Sequence, residues 1–115
     1  MDKSSFDWAE NAQAAITVCN EDAIIIFMNK KARQVFSGRG ENLIGSSLYD
    51  CHNEKSAEKI KELLLEGSTN NYTISKNGIK KMIHQQAWFK EDGSVGGLTE
   101  ISFEIPEEMP HFVRG

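Results

Sequence analysis

The sequence predicts an α+β fold, in which a five-stranded antiparallel sheet has short helices and one longer helix packed on one face. Two strand-like segments precede the helical part of the chain, and three strand-like segments joined by hairpin turns follow it. Strands joined by hairpins run antiparallel, and the helices between them pack together on the sheet. With 115 residues the chain can bury one core. We therefore expect a single domain over residues 1–115, with a lead-in helix within residues 1–14 and a tail over residues 106–115.

The composition excludes several functional classes. Hydrophobic residues make up 39% of the chain and charged residues 26%, as in an ordinary globular domain, and the formal net charge is −4. The basic residues are scattered, so we expect no nucleic-acid-binding surface. No apolar segment is long enough to span a bilayer, and the N-terminus lacks the apolar part of a signal peptide. Cys19 and Cys51 form no C-x-x-C motif, so we expect neither a disulfide scaffold nor a zinc site, and the cytoplasm is the expected compartment.

The first half of the chain predicts a short helix, two strands and a second helix. Ser5 is a candidate N-cap for the lead-in helix. Residues 15–19 alternate and are β-branched, and residues 23–28 are apolar on both faces, so the two segments predict a hairpin covered on both sides. Asn29 ends the second strand and can cap a helix over residues 30–36.

The middle of the chain predicts the longest helix. Residues 37–40 break the preceding helix, and residues 41–44 can form one turn. Ser47 and Asp50 have the spacing of a capping box, which predicts a one-turn helix. Asn53 can cap the next helix, and Gly67 ends it. Its apolar stripe consists of Ala57, Ile60, Leu63 and Leu64.

The last part of the chain predicts three strands, over residues 71–76, 79–90 and 98–105. Asn77 and Gly78 between the first two are typical of a type I′ turn, and residues 91–97 form a loop. In the last strand, Ile101, Phe103 and Ile105 share one face, and Glu100, Ser102 and Glu104 share the other.

With this order of elements the chain resembles a PAS domain from about Ala9 to Ile105. The segments that carry the resemblance are residues 15–18, 27–32, 42–48 and 97–101. The chain looks most similar to a subgroup with an Asp-Cys-His-Pro run, since Asp50, Cys51 and His52 follow the Leu-Ile-Gly segment. The proline of that run is replaced by Asn53, and Ala23 stands where such turns usually carry glycine.

The resemblance implies a sensory domain that holds a small molecule or a partner between the sheet and the helices, with haem, flavin and small organic acids among the family's ligands. Haem is the sharpest candidate, because His52 lies where such domains carry their axial ligand and neutral imidazole binds iron. The alternative is that His52 caps a helix or faces water. The other residues of this predicted haem site are Tyr49 and Cys51 beside His52, and Met82, Trp88, Ile101 and Phe103 as an apolar wall.

A flavin and a small organic acid are the other two ligands that the resemblance suggests. Light-sensing relatives need a reactive cysteine in a Gly-Arg-Asn-Cys run, whereas Ser46 and Ser47 follow Gly45 here, so a flavin is not expected. His84 and Gln86 share one face of the long strand and would suit an organic acid if that face were the inner one. The alternative is that they lie at an edge or on the outer face.

The remaining expectations concern catalysis and partners. The neighbours Cys51 and His52 have divergent side chains and no third orienting group, so we expect no enzyme. A sheet that is apolar on both faces needs a cover on its outside, which predicts a homodimer or a lead-in helix that packs there through Phe6 and Trp8. Two prolines in the tail disfavour a coiled coil after the last strand, so either an effector in trans or a longer parent protein is expected.

Overall fold

The computed structural model describes residues 6–36 and 43–115, apart from the side chain of Cys51. The predicted cap at Ser5, the predicted break over residues 37–40 and the first half of the predicted turn over residues 41–44 lie outside this part of the chain. In chain order the elements are α1 (Asp7–Glu10), β1 (Ala15–Asn20), β2 (Ile25–Met28), α2 (Lys30–Phe36), a 3₁₀ helix (Leu48–Cys51), α3 (Glu54–Glu66), β3 (Thr69–Lys76), β4 (Ile79–Phe89) and β5 (Val95–Ile105). Within the described ranges no helix is long and apolar enough to cross a membrane.

The five strands form one antiparallel sheet in the order β2-β1-β5-β4-β3, which confirms the predicted fold class. The β3–β4 hairpin turns at Asn77 and Gly78, whose φ angles of 53° and 80° are those of a type I′ turn. The loop between β4 and β5 is shorter than predicted, because β5 begins at Val95 and continues past a bulge beside Trp88.

The ends of the helix α3 follow the predicted local signals. The side chain of Asn53 accepts a hydrogen bond from the backbone N–H of Ser56 at 2.8 Å, and Gly67 ends the helix in the left-handed region at φ 65°. Ile60 and Leu63 are fully buried and attach α3 to one face of the sheet. The residues that form the core with them are Ala15, Cys19, Ala23, Ile25, Met28, Ala32, Leu48 and Leu98.

Asn29 fastens the N-terminal part of the chain to this core. It is completely buried, and its Oδ1 accepts hydrogen bonds from the backbone N–H groups of Ile16 and Ala32, both at 2.9 Å. Its Nδ2 donates to the carbonyl oxygens of Ala9 and Ala14, both at 2.8 Å. The predicted cap of α2 is therefore confirmed, and the same side chain also holds α1 and the start of β1.

The two faces of the sheet are assigned by Leu98, which packs in the core with Ile60 and Leu63 of α3. We call the face that Leu98 shares the inner face and the opposite one the outer face. Because side chains alternate along β5, Glu100 and Ser102 also point inward, and Ile101 and Phe103 point outward. The predicted alternation separates these two sets correctly, but Ile101 and Phe103 were predicted as an inner wall, and the structure places them on the outer face.

Candidate functional site

A row of polar side chains crosses the inner face of the sheet. Asn70 of β3, Gln85 of β4, Glu100 of β5 and Thr17 of β1 are successive cross-strand partners. The Nδ2 of Asn70 donates to the Oε1 of Gln85 at 3.0 Å, and the Nε2 of Gln85 donates to the Oε2 of Glu100 at 3.0 Å. We call these four residues the polar row. Its hydrogen bonds lead from the sheet edge at β3 to a carboxylate near the middle of the sheet.

The central members of the polar row are buried but incompletely paired. Glu100 is only 8% exposed and Gln85 only 4%. Among the described residues, no lysine, arginine or histidine lies within ion-pair distance of the Glu100 carboxylate. The Oγ1 of Thr17, on the neighbouring strand β1, is buried and has no hydrogen-bond partner among the described residues. Burying polar groups without full compensation costs free energy, so such an arrangement is uncommon in a purely structural core.

A cleft of about 450 Å³ on the side of α3 reaches two members of this row, Asn70 and Gln85. It lies between the N-terminal half of α3 and the strands β3 and β4. Its lining includes Asn53, Ser56, Lys59, Asn70, Tyr72 and Gln85. At the rim, the ammonium of Lys59 is paired with Glu62 at 3.3 Å. Burial, and secondarily the charge of Glu100, raises the pKa of Tyr72, so this phenol stays neutral and can donate or accept a hydrogen bond.

The 3₁₀ helix presents the first group of predicted site residues. Ser47 caps it by accepting a hydrogen bond from the backbone N–H of Tyr49 at 3.2 Å. The Nδ1 of the half-buried His52 donates to the carbonyl oxygen of Leu48 at 2.8 Å, which places the proton on Nδ1. Asn53, and not His52, caps α3. Tyr49 packs against the core, and burial raises its pKa. The side chain of Cys51 lies outside the described structure.

The predicted apolar wall does not face His52. The side chains of Met82 and Trp88 on β4 point to the outer face, as do those of Ile101 and Phe103 on β5. The 3₁₀ helix packs on the inner side of the sheet through Leu48. Trp88 lies over Gly96 and donates from Nε1 to the carbonyl oxygen of Cys19 at 3.0 Å. These four side chains therefore line no pocket with His52, because the sheet itself separates them from it.

His84 and Gln86 also point to the outer face, so they line no inner site for an organic acid. His84 is hydrogen-bonded through Nδ1 to the side chain of Asn71, and Gln86 is exposed. Gln85 between them is the inward residue, as its neighbours Ile83 and Ala87, both buried, indicate.

The inner face does not fit a haem group. A porphyrin needs apolar surfaces on both sides and an axial ligand, and the residues at the cleft are three amides, a phenol, a serine, two lysines and a glutamate. The described residues also contain no group of three or more histidine, cysteine, aspartate or glutamate side chains placed to hold a metal ion.

Sequence reasoning missed Asn70, Tyr72, Glu100 and Thr17 as site residues. A signal was present, since Gln85 alternates with the apolar residues Ile83 and Ala87 in a strand. A polar residue that interrupts an apolar face marks either an outer face or a buried polar site. Only the position of α3 decides between these two interpretations, and α3 reaches that position through packing between segments that are distant in the sequence.

The fold and the cleft define a small α+β domain with room for a ligand between its sheet and its longest helix. The sequence profile described as PAS fold matches residues 9–66, which is half of the chain. The chain belongs to the PAS fold family. A comparison with curated proteins gave no significant match.

Solved structures share this fold at low sequence identity. A C-terminal domain from Streptococcus mutans aligns with a TM-score of 0.72 and 19% identity, over 89% of this chain and 83% of that one. The PAS domain of the histidine kinase ThkA aligns with a TM-score of 0.64 and 22% identity, over 77% and 96%. The Aer2 receptor from Vibrio cholerae, described as a dual PAS-heme oxygen sensor, aligns with a TM-score of 0.59 and 12% identity, over 81% and 95%.

Proposed function

We propose that this chain is a non-catalytic sensory domain of a cytoplasmic signalling protein, and that it binds a small polar molecule in the cleft between α3 and the polar row. The observation that carries the proposal is the polar row itself. Gln85 and Glu100 are buried and hydrogen-bonded to each other, and the neighbouring Thr17 hydroxyl has no partner among the described residues. A polar molecule bound in the cleft would contact the row through Asn70 and Gln85, which line the cleft.

Family membership and the solved structures support a sensory role. ThkA is a histidine kinase, and Aer2 is a receptor with an oxygen-sensing function. These functions belong to those proteins, and the identities of 22% and 12% relate this chain to them by fold. A sensory role for this chain, with an effector in trans or in a longer parent protein, is therefore our extension of the family relationship.

The neighbouring residues Gln85 and Gln86 provide a matched test of the cleft. They lie on the same strand and point to opposite faces, so Gln85→Leu changes the polar row and Gln86→Leu leaves it intact. We expect mass spectrometry of denatured, purified protein to find a co-purified small molecule in the wild type and in Gln86→Leu, at several-fold lower amounts in Gln85→Leu. Equal amounts in all three proteins would contradict a site at the polar row.

Hemin provides the comparison for the predicted haem site. Because the inner face is polar and the predicted wall lies on the outer face, we expect no sharp Soret band that survives gel filtration of the hemin-treated protein. A retained band that disappears in His52→Ala would restore His52 as an axial ligand and contradict a polar ligand in the cleft.

Homodimerisation is a second proposed function, favoured by the outer face. Phe103 is 40% exposed there, and Trp8 of the lead-in helix is 72% exposed. The outward residues of β4 from Met82 to Trp88 and of β5 from Gly97 to Phe103 carry no formal charge. Since the chain carries a net charge of −4, two copies repel one another, and a face without formal charge that exposes apolar side chains is where they can meet.

A further inference from the structure

We propose that the free edge of β3 is a docking site for an extended acidic segment of a partner protein, which adds to the sheet as a sixth strand. The part of this edge that would pair runs from Thr69 to Ser75, and we call it the β3 edge. The proposal concerns a surface that the sheet itself provides, so it does not depend on a ligand in the cleft.

The two edges of the sheet differ in how they are covered. At the β2 edge, the backbone N–H of Ile25 donates to the carbonyl oxygen of Ser46 at 2.9 Å, and the N–H of Gly45 donates to the carbonyl oxygen of Ile25 at 2.8 Å. On the free side of β3, no described residue makes such hydrogen bonds. β3 pairs with β4 over eight residues in a register without a shift, and it contains no proline. Protected edge strands are usually short, bulged, interrupted by proline or covered, so the β3 edge is open to pairing.

The backbone groups of β3 alternate in direction. In a two-residue hairpin the flanking pair, here Lys76 and Ile79, is hydrogen-bonded, and such pairs recur at every second residue. The hydrogen bond from the N–H of Ala87 to the carbonyl oxygen of Ser68, at 3.3 Å, has the same phase. An extended peptide backbone offers the acceptors and donors that match the remaining outward groups. These outward N–H and C=O groups belong to Thr69, Asn71, Thr73 and Ser75.

The side chains of β3 give the site an apolar centre. Tyr72 is the cross-strand partner of the buried residue Ile83, so Tyr72 and Ile74 both point to the inner face. They are 42% and 39% exposed, because α3 leaves this margin of the sheet partly uncovered. Apolar side chains at two alternate positions of an added strand would cover both of them.

The charge of the β3–β4 hairpin indicates the class of partner. Residues 67–90 contain four lysines and no aspartate or glutamate, whereas the whole chain has a net charge of −4. Lys76, Lys80 and Lys81 lie beside the turn, and none of them forms an ion pair with a described residue. The carboxylate of Glu104 lies opposite Lys81, but on β5, two strands away from the β3 edge. A segment with acidic residues next to the turn is therefore complementary to this edge.

Other occupants match the β3 edge less well. A second copy that paired edge to edge would bring the same hairpin, which has no acidic residue, against the lysines. The phosphate backbone of a DNA strand carries acceptors and no donors. It would match the lysines, but not the outward carbonyl groups of the β3 edge.

Three peptides test the docking site. The first has nine residues, in which valine and threonine alternate between glutamates at both ends. The second carries lysines in place of the glutamates, and the third is the first peptide with its central backbone nitrogens methylated, which keeps its charge and removes its donors. We expect the first peptide, at millimolar concentration, to shift the NMR signals of the backbone amides of Asn71, Thr73 and Ser75 and to slow their exchange with water. The second and third peptides should bind at least tenfold more weakly.

Matched variants of the protein locate the site. Thr73→Pro removes an N–H that β4 does not use, so the sheet can keep its pairing while binding of the first peptide falls at least tenfold. Thr73→Ala keeps that N–H and should bind as the wild type does. Lys76→Gln should weaken binding about threefold or more. Lys90→Gln, at the opposite end of the hairpin where the lysine is paired with Glu21, should leave it unchanged.

The outcomes separate the possible occupants. The proposal is overturned if the first peptide leaves the three amides unshifted, or if the methylated peptide binds the wild type equally well, since charge alone would then explain binding. Equal binding of the lysine peptide would overturn the acidic partner. Shifts of the same amides when the protein alone is concentrated would assign the edge to a second copy, and equal shifts with an oligothymidylate would assign it to nucleic acid. The co-purified molecule of the cleft is measured separately, so each of these results leaves the proposed ligand site standing.

Discussion

At the scale of single residues, Asn29 has the largest predicted effect on stability. Asn29→Ala removes four hydrogen bonds and leaves buried backbone groups at the ends of α1, β1 and α2 without partners. We expect the free energy of unfolding to fall by about 3 kcal/mol or more. The control is Asn53→Ala, which removes one exposed cap and should cost about 1 kcal/mol. Urea denaturation measures both, and equal losses would contradict the role of Asn29 as a buried junction.

Glu10 makes stability depend on pH. Arg33 donates two hydrogen bonds to the Glu10 carboxylate, at 3.0 and 3.3 Å. These hydrogen bonds lower the pKa of the Glu10 carboxyl in the folded chain. A carboxyl with a lowered pKa adds stability above its unfolded pKa of about 4.3, and this contribution is lost as the pH falls through the folded pKa. Because the pair is partly exposed, Glu10→Gln should cost only about 0.5 kcal/mol at neutral pH.

The same substitution should make almost no difference in acid, below the folded pKa of Glu10, because the wild-type carboxyl is then protonated as well. Urea midpoints of wild type and Glu10→Gln, measured at neutral pH and in acid, provide the comparison. A difference that is as large in acid as at neutral pH would show that the loss is not due to the charge of Glu10.

At the scale of elements, the sequence predicted the periods and ends of helices and strands but not the side of the sheet on which α3 packs. The caps of α3 at Asn53 and Gly67 and the turn at Asn77 are set by nearest neighbours, so local signals were sufficient. The facing of β5 depends on α3, which is distant in the sequence. Ile101 and Phe103 were therefore predicted as the wall of the inner site, and Glu100 was not predicted as a site residue.

This difference also explains the errors in the predicted site. Placing apolar side chains inward is correct for most sheets that have one wet face. In this sheet the inner face holds a paired polar set around Gln85, and the outer face holds apolar residues such as Phe103. Departures from the usual pattern are expected where function, and not stability alone, selects the residues.

Gly97 sets the contact between β5 and β1. A Cβ added at Gly97 would overlap the backbone carbonyl oxygen of Cys19, whereas the three atoms nearest to one added at Gly96 belong to the ring of Trp88. A side chain can move aside more readily than a paired strand, so Gly97→Ala should cost about 3 kcal/mol, at the upper end of overpacking effects, and Gly96→Ala should cost less.

Urea denaturation gives the two costs, and tryptophan fluorescence reports the ring. We expect Gly96→Ala to change the emission of Trp88 while the protein stays folded. If Gly97→Ala is no more costly than Gly96→Ala, the close approach of β5 to the Cys19 carbonyl does not limit this position.

At the scale of the whole molecule, the two faces of the sheet are joined through single strands. Gln85 and Gln86 are adjacent on β4, and Glu100 and Ile101 are adjacent on β5, with one residue of each pair on each face. A ligand that binds Gln85 in the cleft therefore acts on the residue next to Gln86 of the outer face. This geometry gives the proposed ligand cleft a direct physical connection to the proposed dimer face.

Phe103 provides the test of that dimer face. It is 40% exposed at the outer face, where its outward neighbours Met82 and Ile101 are apolar, so Phe103→Glu would place like charges opposite each other in a symmetric interface. We expect dimer affinity to fall at least tenfold, which corresponds to about 1.4 kcal/mol. Sedimentation velocity over a range of concentrations measures it, with Glu104→Gln as the control that should leave the dimer unchanged. A wild-type chain that sediments as a monomer at all concentrations, or a Phe103→Glu variant that dimerises as the wild type does, would contradict an interface on the outer face.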